Sequence, residues 1–108
     1  MSQKLRQEME VEHFYHKCAV TQKPGSLVIV EWHHQLIRGS QVNEKFCIIP
    51  LSREIHDRAR EPKVKEFLNW IMVCRATEEE LERHDLKEMA EKLKSKFGQY
   101  DENKRYEI

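Results

Sequence analysis

Residues 27–34 read LVIVEWHH and are the most informative stretch of the sequence for the fold. Its β-branched and aromatic residues, preceded by the turn signature KPGS, predict a strand over 27–32. His33 and His34 end this strand. Because successive side chains of a strand point to opposite faces, the two imidazoles are not expected to perform the same task.

A second strand is predicted shortly afterwards. The segment FCII at 46–49 is a short apolar run that Pro50 closes. Between the strands, the polar connection 35–45 contains Gly39-Ser40, which is typical of a loop that reverses the chain. The two strands are therefore predicted to pair as an antiparallel hairpin.

Helical patterns occupy the second half of the chain. Ser52 is predicted to cap a helix over 53–60, which carries His56. Apolar residues at helical spacing then predict helices over 63–76 and 78–97. Two strands followed by helices give α+β as the predicted fold class.

Length and composition bound the organisation of the chain. Its 108 residues leave room for one compact domain, and 39% hydrophobic against 35% charged residues predicts a modest core beneath many solvated charges. We expect a single domain over 13–98, a lead segment over 1–12 and a flexible tail over 99–108.

Targeting signals and cysteine usage bear on the compartment. The sequence contains no run of about 18 apolar residues and no apolar secretory segment near its start. Its three cysteines are widely spaced and odd in number, which suits reduced thiols rather than a disulfide framework. Both observations predict a cytoplasmic protein without a membrane segment.

The net charge is zero, but the charges are unevenly distributed. Residues 13–65 hold nine Lys or Arg and five Asp or Glu, a net charge of +4, so the flanks carry −4. A basic centre is compatible with a phosphate-binding face, and a solvated mixed-charge surface is the alternative. Charge alone does not decide between the two.

Histidines, a loop asparagine and a Pro-Leu entry to a helix follow one another within residues 18–60. In chain order they are Trp32-His33-His34, Gly39, Asn43, Ile49-Pro50-Leu51 and His56. In this order and spacing the chain resembles the HNH family of nucleases. The resemblance implies a ββα-metal core that binds one divalent cation and hydrolyses phosphodiester bonds in DNA, here with two additional C-terminal helices.

The same resemblance implies a role for each matching residue. His33 and His56 would be metal ligands, His34 the general base, and Asn43 the residue that ties down the connection and orients the base. Phosphodiester hydrolysis needs an activated water and stabilisation of charge on the phosphate oxygens, which a neutral imidazole and a cation supply. Mg²⁺ or Mn²⁺ is the expected ion, with Ni²⁺ or Zn²⁺ as alternatives, and Asp57 is a candidate extra ligand.

The chain departs from the family at the two Cys-x-x-Cys pairs that hold a structural zinc in many members. The corresponding segments read Cys18-Ala19-Val20-Thr21 and Ser52-Arg53-Glu54-Ile55. A structural zinc needs about four ligands, so none is expected here. An unorthodox set of His16, Cys18 and Cys47 is the alternative.

Arginines and a lysine flank the supposed site and are expected to contact DNA phosphates without reading bases. They are Arg38, Lys45, Arg53 and Arg60. The predicted function is therefore a metal-dependent DNA endonuclease. Small members of the family occur in bacteria and their phages, which implies a role in recombination or repair.

Two other functions remain open at this point. One is a nucleic-acid-binding module that keeps the fold but has lost catalysis. The other is a helical interaction protein whose helix 78–97 carries the function and whose histidines are incidental. The two C-terminal helices would cover the core or form the face of a homodimer, and His84 is predicted to be solvated among the helix charges.

Overall fold

The computed structural model describes residues 1–108 and has the predicted α+β class, with five α-helices and a two-stranded antiparallel sheet. In chain order the elements are α1 (Gln3–Val11), β1 (Val30–His34), β2 (Ile48–Ser52), α2 (Arg53–Asp57), α3 (Pro62–Arg75), α4 (Glu78–Arg83) and α5 (Lys87–Phe97). Two short 3-10 turns, His13–His16 and Lys45–Cys47, precede β1 and β2. None of the helices combines the length and the hydrophobicity that a membrane span requires.

The two strands pair as predicted, but both lie a few residues later than expected. The register runs from Val30 opposite Ser52 to His34 opposite Ile48. Residues 27–29 stay outside β1 because the turn after Pro24 continues through Leu27, whose backbone N–H donates to the Pro24 carbonyl at 2.9 Å. The turn thus overrides the β propensity of this run, and the two histidines become part of the strand.

Pro50 lies inside β2, so the prediction that it closes the strand was wrong. It stands opposite Trp32. Two backbone hydrogen bonds extend the ladder at its ends: Gln35 N donates to Cys47 O, and Arg53 N donates to Ile29 O. On the β2 side, both bonds therefore involve odd-numbered residues. In an antiparallel ladder with this alternation, the nitrogen of Pro50 faces away from β1 and needs no partner there.

Helices α2 and α3 confirm the predicted starts. The Ser52 hydroxyl accepts a hydrogen bond from Ile55 N at 3.4 Å and caps α2, although the helix ends at Asp57 rather than at residue 60. Helix α3 spans Pro62–Arg75, within one residue of the prediction. Seven of its residues are buried, so α3 is the central helix on which the sheet and α5 pack.

The predicted continuous helix over 78–97 is divided into α4 and α5. Asp85 has a positive φ of 54°, and Leu86 N donates to the carbonyl of Leu81 at 2.7 Å, the pattern of a helix that ends in a left-handed turn. Leu86 is only 1% exposed. Burial of this leucine stabilises a break that helical periodicity does not reveal.

Both ends of the chain pack on the core, in contrast to the prediction of a flexible tail. In α1, Met9 is fully buried. The Tyr100 hydroxyl donates to the Ala19 carbonyl, and Tyr106 N donates to the Val20 carbonyl, each at 2.7 Å. The two tyrosine rings are stacked, so aromatic residues in a polar segment anchor it against the loop that precedes β1.

Candidate functional site

Two of the histidines predicted as ligands come together between β1 and α2. His33 and Glu31 alternate along β1 and point to the side of the sheet on which α2 carries His56. The ring centroids of His33 and His56 are 5.0 Å apart, with the planes inclined at 66°. The structure therefore brings the two imidazoles into contact, as their proposed common role requires.

One ring nitrogen of His56 is held by a carboxylate. His56 Nδ1 donates to Glu31, whose other oxygen accepts a hydrogen bond from Arg53 Nε at 3.0 Å. The hydrogen bonds from Arg53 and His56 hold the pKa of Glu31 below its usual value of 4.5. Because Nδ1 is occupied, Nε2 is the His56 nitrogen that remains for a ligand.

One ring nitrogen of His33 is held by an amide. Gln35 is only 3% exposed, and its amide nitrogen donates to Asn69 Oδ1 at 2.8 Å and lies 3.5 Å from the Lys65 carbonyl. Its amide oxygen therefore faces His33 Nε2, 3.0 Å away. The proton of neutral His33 thus sits on Nε2, and Nδ1 remains for a ligand.

Burial keeps His33 in the neutral form. It lowers the pKa of His33 below 6.5, against the opposite effect of the Gln35 hydrogen bond, and the neighbouring His56 and His34 lower it further. Only neutral imidazole has a lone pair to offer a cation. His33 is therefore in a protonation state suited to metal binding at neutral pH.

His34 follows His33 on the strand and has a different environment. Its Nε2 is buried without a hydrogen-bond partner. Both histidines line a pocket of about 290 Å³ beyond the end of β1, together with Gln35, Leu36, Ala59, Arg60 and Lys65. A buried nitrogen without a partner is destabilising unless water or a ligand oxygen reaches it, so His34 is a candidate acid-base group.

Asn43 does not join these histidines. It is exposed in the connection between the strands, where its side-chain oxygen is 3.4 Å from Gln41 Nε2, and it does not line the histidine pocket. The same connection is held down by Glu44 instead, which bonds Arg83 and His84. His84 is consequently half-buried, not solvated as predicted.

The four predicted phosphate-contacting residues are dispersed. Arg60 lines the histidine pocket and has no ion pair, whereas Arg53 is bound to Glu31 beside it. Arg38 donates to two carbonyls at the end of α4, at 3.0 and 2.8 Å, and Lys45 pairs with Glu12 at 3.2 Å. Of these four residues, only Arg60 is thus a free cation at the pocket.

The segments that correspond to the family's cysteine pairs meet in space. Burial raises the pKa of the Cys18 thiol, but hydrogen bonds from the Thr21 side chain and from the backbone N–H groups of Thr21, Ser52 and Val20 outweigh it and bring the pKa below 9.0. Hydroxyl and amide groups therefore fill this junction.

Nowhere does the protein arrange three or more His, Cys, Asp or Glu side chains around a common point as a metal cage. The alternative zinc set of His16, Cys18 and Cys47 accordingly does not converge, and Asp57 is exposed. The protein nitrogens available to a cation between β1 and α2 are those of His33 and His56.

Four residues of this site are absent from the prediction: Glu31, Gln35, Lys65 and Asn69. Alternation along β1 could have identified the first two, since residues 31, 33 and 35 share one face of an extended chain. No local signal marks the other two, because they reach the site only through the packing of α3 against the sheet.

No protein-family model, no curated protein and no solved structure matches this chain. Any function assigned to the protein therefore rests on its own residues.

Proposed function

We propose that the protein is a metal-dependent endonuclease with a core of ββα-metal type, which hydrolyses phosphodiester bonds in DNA. The observation that carries this proposal is the pair His33 and His56, in contact with each other and each with one ring nitrogen held by an oxygen acceptor. The order of β1, β2 and α2 along the chain supports it as well.

The side chains between β1 and α2 fit a divalent cation. Metal-binding histidines commonly donate their second ring N–H to a carboxylate or carbonyl oxygen, as His56 does to Glu31 and His33 to Gln35. Two imidazoles favour Ni²⁺ or Zn²⁺ over the oxygen-seeking Mg²⁺ and Mn²⁺, which would need water and phosphate for the remaining positions. A bound cation would supply Lewis-acid stabilisation of charge on the phosphate.

The residues around the pocket divide the remaining work. His34, which lines the pocket, is the general base that accepts a proton from the attacking water. Arg60 and Lys65, which have no ion-pair partners, contact the phosphates on either side of the cleaved bond. Such contacts position a strand without reading its sequence, so low sequence specificity is expected.

The first experiment is cleavage of supercoiled plasmid in EDTA and with Mg²⁺, Mn²⁺, Ni²⁺ or Zn²⁺. We compare the wild type with His34→Ala and with His13→Ala, a control at an exposed histidine outside the site. Metal-dependent nicking is expected in the wild type and the control, with a loss of at least about 100-fold in His34→Ala, the contribution typical of a general base.

Metal binding by calorimetry separates the roles of the two adjacent histidines. Affinity is expected to be unchanged in His34→Ala because a base is not a ligand. If affinity and cleavage fell together in this variant, the roles of His33 and His34 would be reversed. If the wild type cut neither plasmid nor single-stranded or branched DNA with any ion, the nuclease proposal would be abandoned.

A nucleic-acid-binding module without catalysis is the second candidate. It is favoured by Asn43, whose side chain contacts Gln41 rather than His34. DNA binding by gel shift without cleavage under any metal condition would select this function over the first.

We propose a cytoplasmic location, for which the three free cysteines are the supporting observation. Dimerisation through the C-terminal helices stays a prediction. Its measurement is the mass of the protein in solution by light scattering, where a monomer mass of 13.1 kDa would exclude it.

A further inference from the structure

A second cavity adjoins the histidine pocket and takes no part in the proposed chemistry. Its volume is about 300 Å³, at the lower end of the range of small-molecule sites. Leu36 and Lys65 line both cavities, so the two cavities are neighbours, and we refer to them together as the groove. We call this second cavity the side pocket.

The walls of the side pocket are apolar side chains with a free surface. Leu36 is 46% exposed and Met89 is 38% exposed, and both line it. Its floor includes Met72 and Leu86, each 1% exposed. Exposed large apolar side chains are few in this protein, and a flat ring would remove these two from water.

A hydrogen-bond donor of fixed orientation faces the same space. Asn69 lines the side pocket, and its side-chain oxygen already accepts from the buried Gln35 at 2.8 Å. The Asn69 amide nitrogen is therefore the atom left for a ligand, and it has no partner in the protein. A ring with an exposed carbonyl oxygen or ring nitrogen would satisfy it.

Charge is divided between the two ends of the groove. Arg60 stands at the histidine end and Lys65 lines both cavities, and neither has an ion pair. The far end holds Asp85, which pairs with Arg38 at 3.7 Å. The groove thus fits a ligand with a phosphate at one end and an uncharged, hydrogen-bonding ring at the other.

We infer that the side pocket holds one unpaired nucleobase of the DNA strand whose phosphate lies at the histidines, an inference that rests on the proposed function and names its substrate class. A base within a duplex is stacked and has its pairing edge engaged, and taking it out requires unstacking. The preferred substrate is therefore DNA with an unpaired nucleotide beside the cleaved bond.

The test measures binding in EDTA, so that it does not depend on cleavage. The probes are a short fluorescein-labelled DNA strand, its perfect duplex, and the same duplex with one unpaired nucleotide, compared by fluorescence anisotropy at one salt concentration. The variant is Leu36→Ser with Met89→Ser, and the control is Leu27→Ser with Ile29→Ser, two exposed apolar residues outside the groove. All four positions are exposed, and a thermal melt of each protein verifies folding.

The wild type and the control are expected to bind both unpaired probes more tightly than the perfect duplex. In the groove variant, affinity is expected to fall roughly five- to tenfold for the two probes with unpaired nucleotides and to stay unchanged for the perfect duplex. This loss is at the lower end of what a base contact contributes because the walls are aliphatic. Equal binding of all probes by the wild type, or an equal loss for all probes in the variant, would overturn the inference.

Cleavage separates this inference from the proposed function. If the wild type prefers unpaired DNA and the groove variant loses this preference, the side pocket is supported. This holds even if no DNA is cut with any ion, because that outcome rules out only the nuclease. If the wild type and the groove variant both cut the perfect duplex and the duplex with one unpaired nucleotide at the same rate, the side pocket is removed and the nuclease stays intact.

Discussion

Two clusters of the molecule share one composition, a glutamate that accepts hydrogen bonds from both an arginine and a histidine. The β1 cluster consists of Glu31, Arg53 and His56, and the α4 cluster consists of Glu44, Arg83 and His84. In each, the glutamate belongs to the hairpin region and its partners to a helical segment. The same three residue types thus join the hairpin to α2 in one place and to α4 in the other.

The surroundings of the two clusters differ. His56 has a second imidazole beside it, that of His33, and its Nε2 remains free. His84 uses Nε2 for Glu44 and lies against the ring of Phe46, with centroids 5.6 Å apart. A histidine held by a glutamate and an arginine is therefore a structural link by itself, and a second oriented histidine makes it a candidate metal site.

The largest expected effect comes from removing His56 and His84, the histidines of the two clusters, in separate variants. His56→Ala should lower metal affinity by at least about 100-fold and cleavage with it, since a ligand is lost. His84→Ala should lower stability by about 1 to 2 kcal/mol through lost packing and an unpaired Glu44, without changing metal affinity. Calorimetric titration of both variants measures their metal affinity, and urea unfolding measures their stability. Equal metal affinity in the two variants would remove His56 from the site.

A smaller effect is expected from Gln35→Leu, which leaves the metal-binding nitrogens in place. Without the amide oxygen the proton of His33 is no longer held on Nε2, and metal affinity should fall about tenfold. Ring ¹⁵N chemical shifts of the metal-free protein should change from one tautomer to a mixture. The matched control is Gln7→Leu on the exposed face of α1. An unchanged His33 tautomer in Gln35→Leu would show that Gln35 only fills space.

Substituting the glutamate of each cluster tests the same difference between them. Glu44→Gln should lower the free energy of unfolding by about 1 kcal/mol, because a partly exposed ion-paired link between the hairpin and α4 is weakened. Its metal affinity should equal that of the wild type. Glu31→Gln should instead weaken metal binding, because His56 loses its carboxylate acceptor. A metal defect in Glu44→Gln would mean that the two clusters are coupled.

The smallest effect concerns pH and His33 in the metal-free protein. Burial lowers the pKa of His33 below 6.5, so on acidification the unfolded chain binds this proton before the folded one does. The free energy of unfolding should therefore fall as pH decreases from 6.5 toward the lower folded pKa. Urea midpoints at about pH 7.5 and about pH 5.5, compared between the wild type and His33→Asn, isolate this contribution. An identical pH dependence in the two proteins would contradict it.

Local chemistry made part of the fold predictable. Ser52 caps α2 because its hydroxyl accepts a hydrogen bond from a first-turn N–H, and Pro62 suits the start of α3 because it has no N–H that needs a partner there. The strand limits were less predictable, since residues 27–29 have β propensity but lie beyond a turn. Pro50 was misread as a strand end because only the register shows that its nitrogen faces away from β1.

The same contrast between local chemistry and contacts distant in the chain applies to the candidate site. Periodicity, capping and residue chemistry over a few positions were enough to predict the α+β class, the antiparallel hairpin and the capped helices, and to single out the histidines. Three features became visible only in the folded protein: Gln35 and Asn69 orient His33, Asn43 lies apart from the histidines, and Leu86 separates α4 from α5. Each of these depends on contacts between residues distant in the chain, and such contacts are set by packing around the core rather than by any local pattern.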